Sequence, residues 1–248
     1  MITLRPKVDF KVPVEAPCIS PDSLAGKSRA EAAKLPVLWG NKEKTLGDLF
    51  RINAGGGTPD HVVVDGDVSA VKHMGARMTR GKLTIKGDAG MHLGREMDGG
   101  EISVSGNAGD WAGAEMGGGI IHIKGSTGDL AGSAYRGSSN GMKGGALVVD
   151  GNAGTEVGEL MKGGSIAVKG DLGSFAGALM SGVRNLLMVA LPPLAMCDRH
   201  DIGGVVNASQ LGQTTIILYD RYEGDLANDG KGRIIVWKSG PPRPEQPS

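Results

Sequence analysis

The residues of this chain that could do chemistry are five histidines, two cysteines, one Gly-Lys-Ser loop and a scatter of carboxylates. His61, His73, His92, His122 and His200 form neither His-x-His nor His-Glu-x-x-His, the spacings that aim two imidazoles at one metal ion. His92 and His122 fall in different phases of the repeat described below, so the histidines read as surface residues rather than a ligand column. Cys18 and Cys197 make no Cys-x-x-Cys pair and read as reduced thiols, with no His spacing that would activate either as a nucleophile. Ala25-Gly26-Lys27-Ser28 looks like the end of a phosphate loop, but Pro21 stands where that loop needs its first Gly. It reads as a loop entering a helix. No Ser sits in a Gly-x-Ser-x-Gly elbow, and no Gly-x-Gly-x-x-Gly lies between a strand and a helix. Glu96, Asp98, Glu101, Asp110 and Glu115 read as a solvated exterior, and nine aromatics are too few for the platforms of a sugar-cleaving site. Asn207-Ala208-Ser209 is a glycosylation sequon with no bearing on a cytoplasmic chain. The reading is a chain with no catalytic, cofactor-binding or metal-binding residues of its own.

One stretch is a candidate for recognition instead. Gly132-Ser133-Ala134-Tyr135-Arg136-Gly137-Ser138-Ser139-Asn140-Gly141-Met142 interrupts a strict repeat and leaves it as a loop. Tyr135 and Arg136 are of the residue types favoured at interface hot spots, and they are the proposed interface residues.

The elements that carry this loop are set by the repeat. The pattern Met-x-Gly-Gly-x-Ile-x-Val-x-Gly begins at Met78, Met97, Met116, Met142 and Met161, with a partial copy at Met180. The steps are 19, 19, 26, 19 and 19 residues, and the 26 is one period plus a seven-residue insertion. Each copy ends in Gly-x-x-Gly-x-x-x-Gly: Gly87-Gly90-Gly94, Gly106-Gly109-Gly113, Gly125-Gly128-Gly132, Gly151-Gly154-Gly158 and Gly170-Gly173-Gly177. These glycines are expected where the chain turns with positive φ or where backbones approach closely. The alternating pairs Leu83/Ile85, Ile102/Val104, Ile121/Ile123, Leu147/Val149 and Ile166/Val168 put their side chains on one face of a short strand, and Val62/Val64 make a looser earlier copy. One such strand cannot bury its face alone, so equivalent strands must stack into parallel ladders around an aliphatic column. Asp88, Asn107, Ser126, Asn152 and Asp171 follow the first Gly and are turn formers that bond nearby backbone. The expected fold is all-β, a parallel β-helix (solenoid) with coils of about 19 residues.

Four segments follow. Residues 1–60 are an N-terminal capping segment: Leu4 to Val14 extended, a capping box at Ser28-Arg29-Ala30-Glu31 opening a helix to Lys34, and a strand or hairpin from Val37 to Asp48. Residues 61–182 are the glycine-repeat β-helix. Residues 183–240 are a C-terminal cover in which the Gly phase and the Ile-x-Val pair are lost, 196–213 are irregular, and Thr214–Tyr219 and Arg233–Trp237 are strand-like. Residues 241–248 are a Pro-rich disordered tail.

Composition bounds the partners. The chain has 248 residues with 27 basic and 27 acidic side chains, which argues against a nucleic-acid binder that relies on neutralising phosphates. Neutrality leaves little self-repulsion against association. Nothing after Met1-Ile2-Thr3-Leu4-Arg5 reads as a signal peptide, and the apolar stretch Leu186–Ala195 is too short to span a bilayer. The expectation is a cytoplasmic protein that contacts neither nucleic acid nor membrane.

The repeats, the insertion Tyr135-Arg136-Gly137 … Gly141-Met142-Lys143-Gly144-Gly145, and the N-terminal Val14-Glu15-Ala16-Pro17 … Leu24-Ala25-Gly26-Lys27-Ser28 … Leu46-Gly47-Asp48-Leu49-Phe50 resemble the C subunit of formylmethanofuran dehydrogenase. Tyr222-Glu223-Gly224-Asp225-Leu226-Ala227 … Lys231-Gly232 also looks like that family's tail. The resemblance implies a right-handed β-helix and a structural, non-catalytic subunit of an oxidoreductase complex. That complex reduces CO2 and fixes it on methanofuran as a formyl group, the first step of methanogenesis from CO2, in a reversible one-carbon reaction. It implies that a tungsten or molybdenum pterin and iron–sulfur clusters sit on partners, the pterin-bearing B and D subunits and ferredoxin-like subunits. Formyl transfer would belong to an amidohydrolase-like A subunit with its own metals. Two alternatives carry the same glycine motif: the C subunit of a methylotrophic formyltransferase/hydrolase complex, and the C-terminal domain of the glutamate synthase large subunit. Hexapeptide acyltransferases fit less well, since their coils hold eighteen residues rather than 19.

Overall fold

The computed structural model describes residues 1–181 and the backbone of strands at 185–189, 204–207, 216–223 and 233–237. Its elements in chain order are β1 (Ile2–Pro6), β2 (Val14–Glu15), α1 (Pro21–Leu24), α2 (Arg29–Ala33), β3 (Pro36–Trp39), β4 (Lys42–Thr45), α3 (Leu46–Leu49), β5 (Phe50–Ala54), β6 (His61–Val64), β7 (Val71–Lys72), β8 (Lys82–Ile85), β9 (Asp98–Val104), β10 (Gly118–Ile123), β11 (Lys143–Val149), β12 (Gly163–Val168), β13 (Asn185–Val189), β14 (Gly204–Asn207), β15 (Ile216–Glu223) and β16 (Arg233–Trp237). The chain is predominantly β.

The alternating apolar pairs set the register. Leu83, Ile102, Ile121, Leu147 and Ile166 lie opposite one another on successive parallel strands β8 to β12, and every one is fully buried. Ile121 faces Leu147 directly, so the seven extra residues between their strands leave the ladder intact. A second parallel ladder of single bridges runs Val68, Ala89, Ala108, Thr127, Ala153 and Leu172, one per repeat. Met78, Met97, Met116, Met142 and Met161, one at the start of each copy of the repeat, are all fully buried. Unbranched methionine adapts to the space left between β-branched neighbours.

The turn formers after the first Gly join successive repeats. Asp88 Oδ1 accepts from Asn107 N at 2.7 Å, Asn107 Oδ1 from Ser126 N at 2.9 Å, Ser126 Oγ from Asn152 N at 3.0 Å and Asn152 Oδ1 from Asp171 N at 2.9 Å. Each satisfies a backbone donor that has no strand partner.

At the N-terminal end β1 pairs parallel with β6 and antiparallel with β5, while β2 pairs parallel with β7 and antiparallel with β3. β3 and β4 make the expected hairpin. The Ser28 capping box forms, with the Glu31 carboxylate accepting from Ser28 N at 2.8 Å. A second box at Thr45 and Asp48 opens α3, a short helix at the end of the stretch expected to be strand or hairpin. The free edge β4 reads Lys-Glu-Lys-Thr, charges that discourage pairing with another chain.

Two expectations for the C-terminal segment need correction. The apolar pair is not lost after Gly182: Leu187 and Val189 lie in register with Ile166 and Val168, two residues later than the glycine phase dictates. Apolar alternation sets strand register, and Leu187-x-Val189 keeps it although Val183 has replaced a repeat Gly. The stretch 196–213 also holds a strand, β14, antiparallel to β15. β16 occupies the expected Arg233–Trp237 and pairs parallel with β13. The tail 241–248, Cys197 and His200 lie outside the described residues. Cys18 is a free thiol, pushed up to about 11 by burial.

Candidate interaction surface

The corner that follows each Gly-x-x-Gly is built from left-handed backbone. Among the predicted turn glycines, Gly94, Gly113, Gly132, Gly158 and Gly177 have positive φ. So do the non-glycine residues two before them, His92, Trp111, Leu130, Glu156 and Phe175, and His73 in the preceding repeat. Bulky side chains rarely adopt this region, at a cost of about 1–2 kcal/mol each. Backbone bonds between repeats hold them: His92 N donates to Asp110 O at 2.8 Å, Trp111 N to Asp129 O at 2.9 Å and Leu130 N to Thr155 O at 2.8 Å.

The other glycines are constrained differently. Gly109 does not have positive φ, and a Cβ there would sit 2.8 Å from Met91 N in the neighbouring repeat. Gly87 is similar, its Cβ falling 2.5 Å from Gly66 O. Close backbone approach, rather than handedness, demands glycine at these places.

Because the corner recurs every 19 residues, its side chains stack. His73 lies on His92 with centroids 4.7 Å apart and planes 9° apart, and His92 lies on Trp111 at 5.3 Å and 21°. Tyr135 from the insertion closes the stack, 6.3 Å from Trp111 and tilted 40° to His92. Its hydroxyl lies 2.9 Å from His92 Nδ1, and the Arg95 guanidinium lies 5.1 Å over its ring. Tyr135 N donates to Glu115 Oε1 at 3.2 Å, and Glu96 accepts from Arg77 at 2.6 Å and from Arg95. The insertion is therefore pinned by Tyr135, which is half-buried, while Arg136 is exposed.

His73 and His92 are thus half-buried members of an aromatic column rather than surface residues. The sequence signal was their spacing of 19, continued at Trp111, and short metal-site patterns do not register it. His61 and His122 stand apart, bonded to Thr84 Oγ1 at 3.0 Å and Asp150 Oδ2 at 2.9 Å.

The electrostatics suit recognition rather than proton transfer. Burial, then the charges of His73, Lys72 and Arg95, pushes the His92 imidazole down to about 4. Burial pushes the Tyr135 phenol up to about 12. Both stay neutral near pH 7, far from the range in which a side chain exchanges protons efficiently at that pH. A phenol that keeps its proton can donate it to a neutral Nδ1. Between Tyr135 and the next corner lies a cleft of about 310 Å³ lined by Leu130, Ala134, Arg136, Glu156 and Glu159. Burial and the charge of Glu156 raise the Glu159 carboxyl, with Arg136 opposing.

The column makes a pH prediction. His92 binds a proton more readily unfolded than folded, so its contribution to stability is present above about 6.5 and lost as pH falls towards about 4. An NMR titration of the His92 ring is expected to show a midpoint below 5. A midpoint near 6.5 would mean that the ring is not held in the stack.

No family profile matches the chain. The C subunit of the tungsten-containing formylmethanofuran dehydrogenase 2 of Methanothermobacter marburgensis is 44% identical over 93 residues, 36% of this chain and 34% of that protein. The C subunit of the molybdenum-containing formylmethanofuran dehydrogenase 1 of the same organism is 46% identical over 88 residues, 36% of this chain and 22% of that protein. The alignments thus span about a third or less of these relatives' lengths. The C subunit of the formyltransferase/hydrolase complex Fhc of Methylorubrum extorquens is 36% identical over 90 residues, 36% of this chain and 33% of that protein. The whole-length comparison decides. A chain in the crystal structure of the Methylorubrum extorquens formyltransferase/hydrolase complex with methylofuran superposes with a TM-score of 0.79 and 30% identity, over 94% of this chain and 98% of that one. This chain belongs to the C-subunit family of formylmethanofuran dehydrogenase and the related formyltransferase/hydrolase complex. As a member of that family, it carries the aromatic column and the insertion on a rigid ladder. No helix among the described residues is long and apolar enough to cross a membrane.

Proposed function

We propose that the chain is a structural subunit of a cytoplasmic formylmethanofuran dehydrogenase complex, docking through its repeat faces and its insertion onto the subunits that do the chemistry. The observation that carries this reading is 44–46% identity to the C subunits of such dehydrogenases. In this reading the repeats wind as a right-handed parallel β-helix over 61–182, capped by 1–60 and covered by 183–240. The recurring 19-residue step of both parallel ladders, lengthened to 26 across the insertion, supports it.

The complex would reduce CO2 and fix it as N-formylmethanofuran, with pterin metal and iron–sulfur clusters on partner subunits. Among the described residues no three His, Cys, Asp or Glu side chains gather where they could hold a metal ion, and this supports placing those groups on partners. Its own part is to position. The pinned Tyr135 holds the insertion against the rod and leaves Arg136 free to meet a partner.

A second reading, the formyltransferase/hydrolase complex without CO2 reduction, is favoured by the whole-length match to that assembly. Assaying the complex purified through this chain separates the two. CO2-dependent formation of formylmethanofuran supports the dehydrogenase, and formyl transfer with no CO2 reduction supports the other. Replacing Tyr135 and Arg136 together with Ala is expected to weaken assembly about tenfold or more, the effect of removing a hot spot, with the repeats still folded but less stable by about 1 kcal/mol for the lost aromatic contacts, whereas Arg136→Ala alone leaves the melting temperature unchanged. Undiminished assembly would remove the insertion from the interface.

A further inference from the structure

A sheet face bathed by water places polar residues between its buried ones. β8 and β9 do so: Lys82 pairs with Glu101 at 2.6 Å, and Thr84 lies beside Ser103. The pattern breaks on the next three strands. There the outward positions are Ile120, Ala146 and Ser165 in one row and His122, Val148 and Ala167 in the next, so four apolar side chains lie between one polar residue at either end. Ile120 is 50% exposed. Parallel register sets these side chains in two rows on rungs about 4.8 Å apart, a flat surface with an apolar centre.

Cations frame that centre on both sides. Lys143 and Lys162 stand at the N-terminal ends of β11 and β12, and Lys124 and Lys169 follow the C-terminal ends of β10 and β12. All four are exposed. The carboxylate among them, Asp150, is already held by Lys169 at 2.7 Å and His122 at 2.9 Å. The corner near Tyr135 leans the other way, with Glu96, Asp110, Glu115, Asp129, Glu156 and Glu159 against Arg77, Arg95 and Arg136. A chain with 27 charges of each sign therefore separates them across these repeats.

We propose that the outer face of β10–β12 is a docking surface for a partner protein whose matching patch is apolar at its centre and edged by carboxylates. Buried apolar centres inside polar rims are the usual anatomy of protein interfaces, and opposite rim charges steer the encounter. A second copy of this chain fits poorly, since self-docking would set lysine against lysine. The proposal rests on the reading of the chain as one component of a larger complex.

The test uses tagged full-length chain in its native source, wild type beside Ile120→Asp and the pair Lys143→Glu with Lys162→Glu. Partner recovery is quantified by mass spectrometry. Reductive methylation of the lysines is compared between the complex and the isolated wild-type chain. The expected result is at least a tenfold loss of partner from both variants at an unchanged melting temperature, with Lys124, Lys143 and Lys162 shielded only in the complex. Full recovery from the variants, lysines equally reactive in both states, or shielding in an isolated dimer would each overturn it. Should a variant fail to fold, the methylation pattern of the wild type decides alone. A wild-type chain that recovers no partner defeats the larger-complex reading itself, a distinct failure.

Discussion

Gly109→Val is expected to abolish the folded state or leave it marginal, at a cost of about 4 kcal/mol or more, the range reserved for changes that the structure cannot absorb. A Cβ at this position would lie 2.8 Å from Met91 N and 3.1 Å from both Gly90 C and Met91 Cα. These are backbone atoms of the neighbouring repeat, tied into the stack by the bond from Gly109 N to Ala89 O at 3.1 Å. They cannot swing aside as a flexible side chain would, so relief requires the repeats to part. Gly137→Ala in the insertion is the control. Its φ is +90° but nothing lies within 4 Å of the added carbon, so only backbone strain of about 1 kcal/mol is expected. Urea denaturation of the two variants checks the contrast. A Gly109→Val protein as stable as the parent would mean that the repeats are not in contact there.

Ile121→Ala is expected to destabilise by about 4 kcal/mol, near the top of the range for such truncations. Ile121 is fully buried in the middle of the ladder. Its Cδ1 packs where side chains of Gly94 and Gly113 would begin, 2.6 Å and 3.4 Å from their hypothetical Cβ positions. Glycines have nothing to move into the space, and the flanking strands are fixed by their hydrogen bonds, so the cavity stays open. Ile121→Val is expected to cost about 1 kcal/mol. A truncation cost under about 1 kcal/mol, measured by the same denaturation, would show that the ladder collapses around the gap.

The ladder was legible because its two causes are local and periodic. Alternation puts Ile102 and Val104 on one face, and a fixed step puts each pair over the last. The same rule explains where sequence and structure part. Glycine phase points one way past Met180, whereas the strand follows the apolar pair Leu187 and Val189. β14 escapes notice in the sequence because two valines between glycine and asparagine give too short a signal. The turn glycines stand out by their phase, but their two roles are not separable in sequence. Gly94 and Gly109 look alike until φ and the neighbouring backbone are seen.

The insertion was legible as a break in period, and Tyr135 as its aromatic. That Tyr135 turns inward was not, because its partners are a repeat or more away. His92 and Trp111 belong to a column created only when left-handed corners stack. A histidine search tuned to spacings of two to five residues cannot detect one of 19. The C-subunit family itself was recognisable from the repeats and the insertion together, in line with the relatives it matches.

The central claim is that this chain holds other subunits together and leaves the reaction to them. Native mass spectrometry of the assembly isolated through the tagged full-length chain tests it most directly. The account predicts a defined complex containing this chain with metal-bearing subunits, from which its controlled dissociation removes activity and from which the free chain is inactive. Recovery of the chain as a free monomer, or turnover by the chain alone, would contradict it.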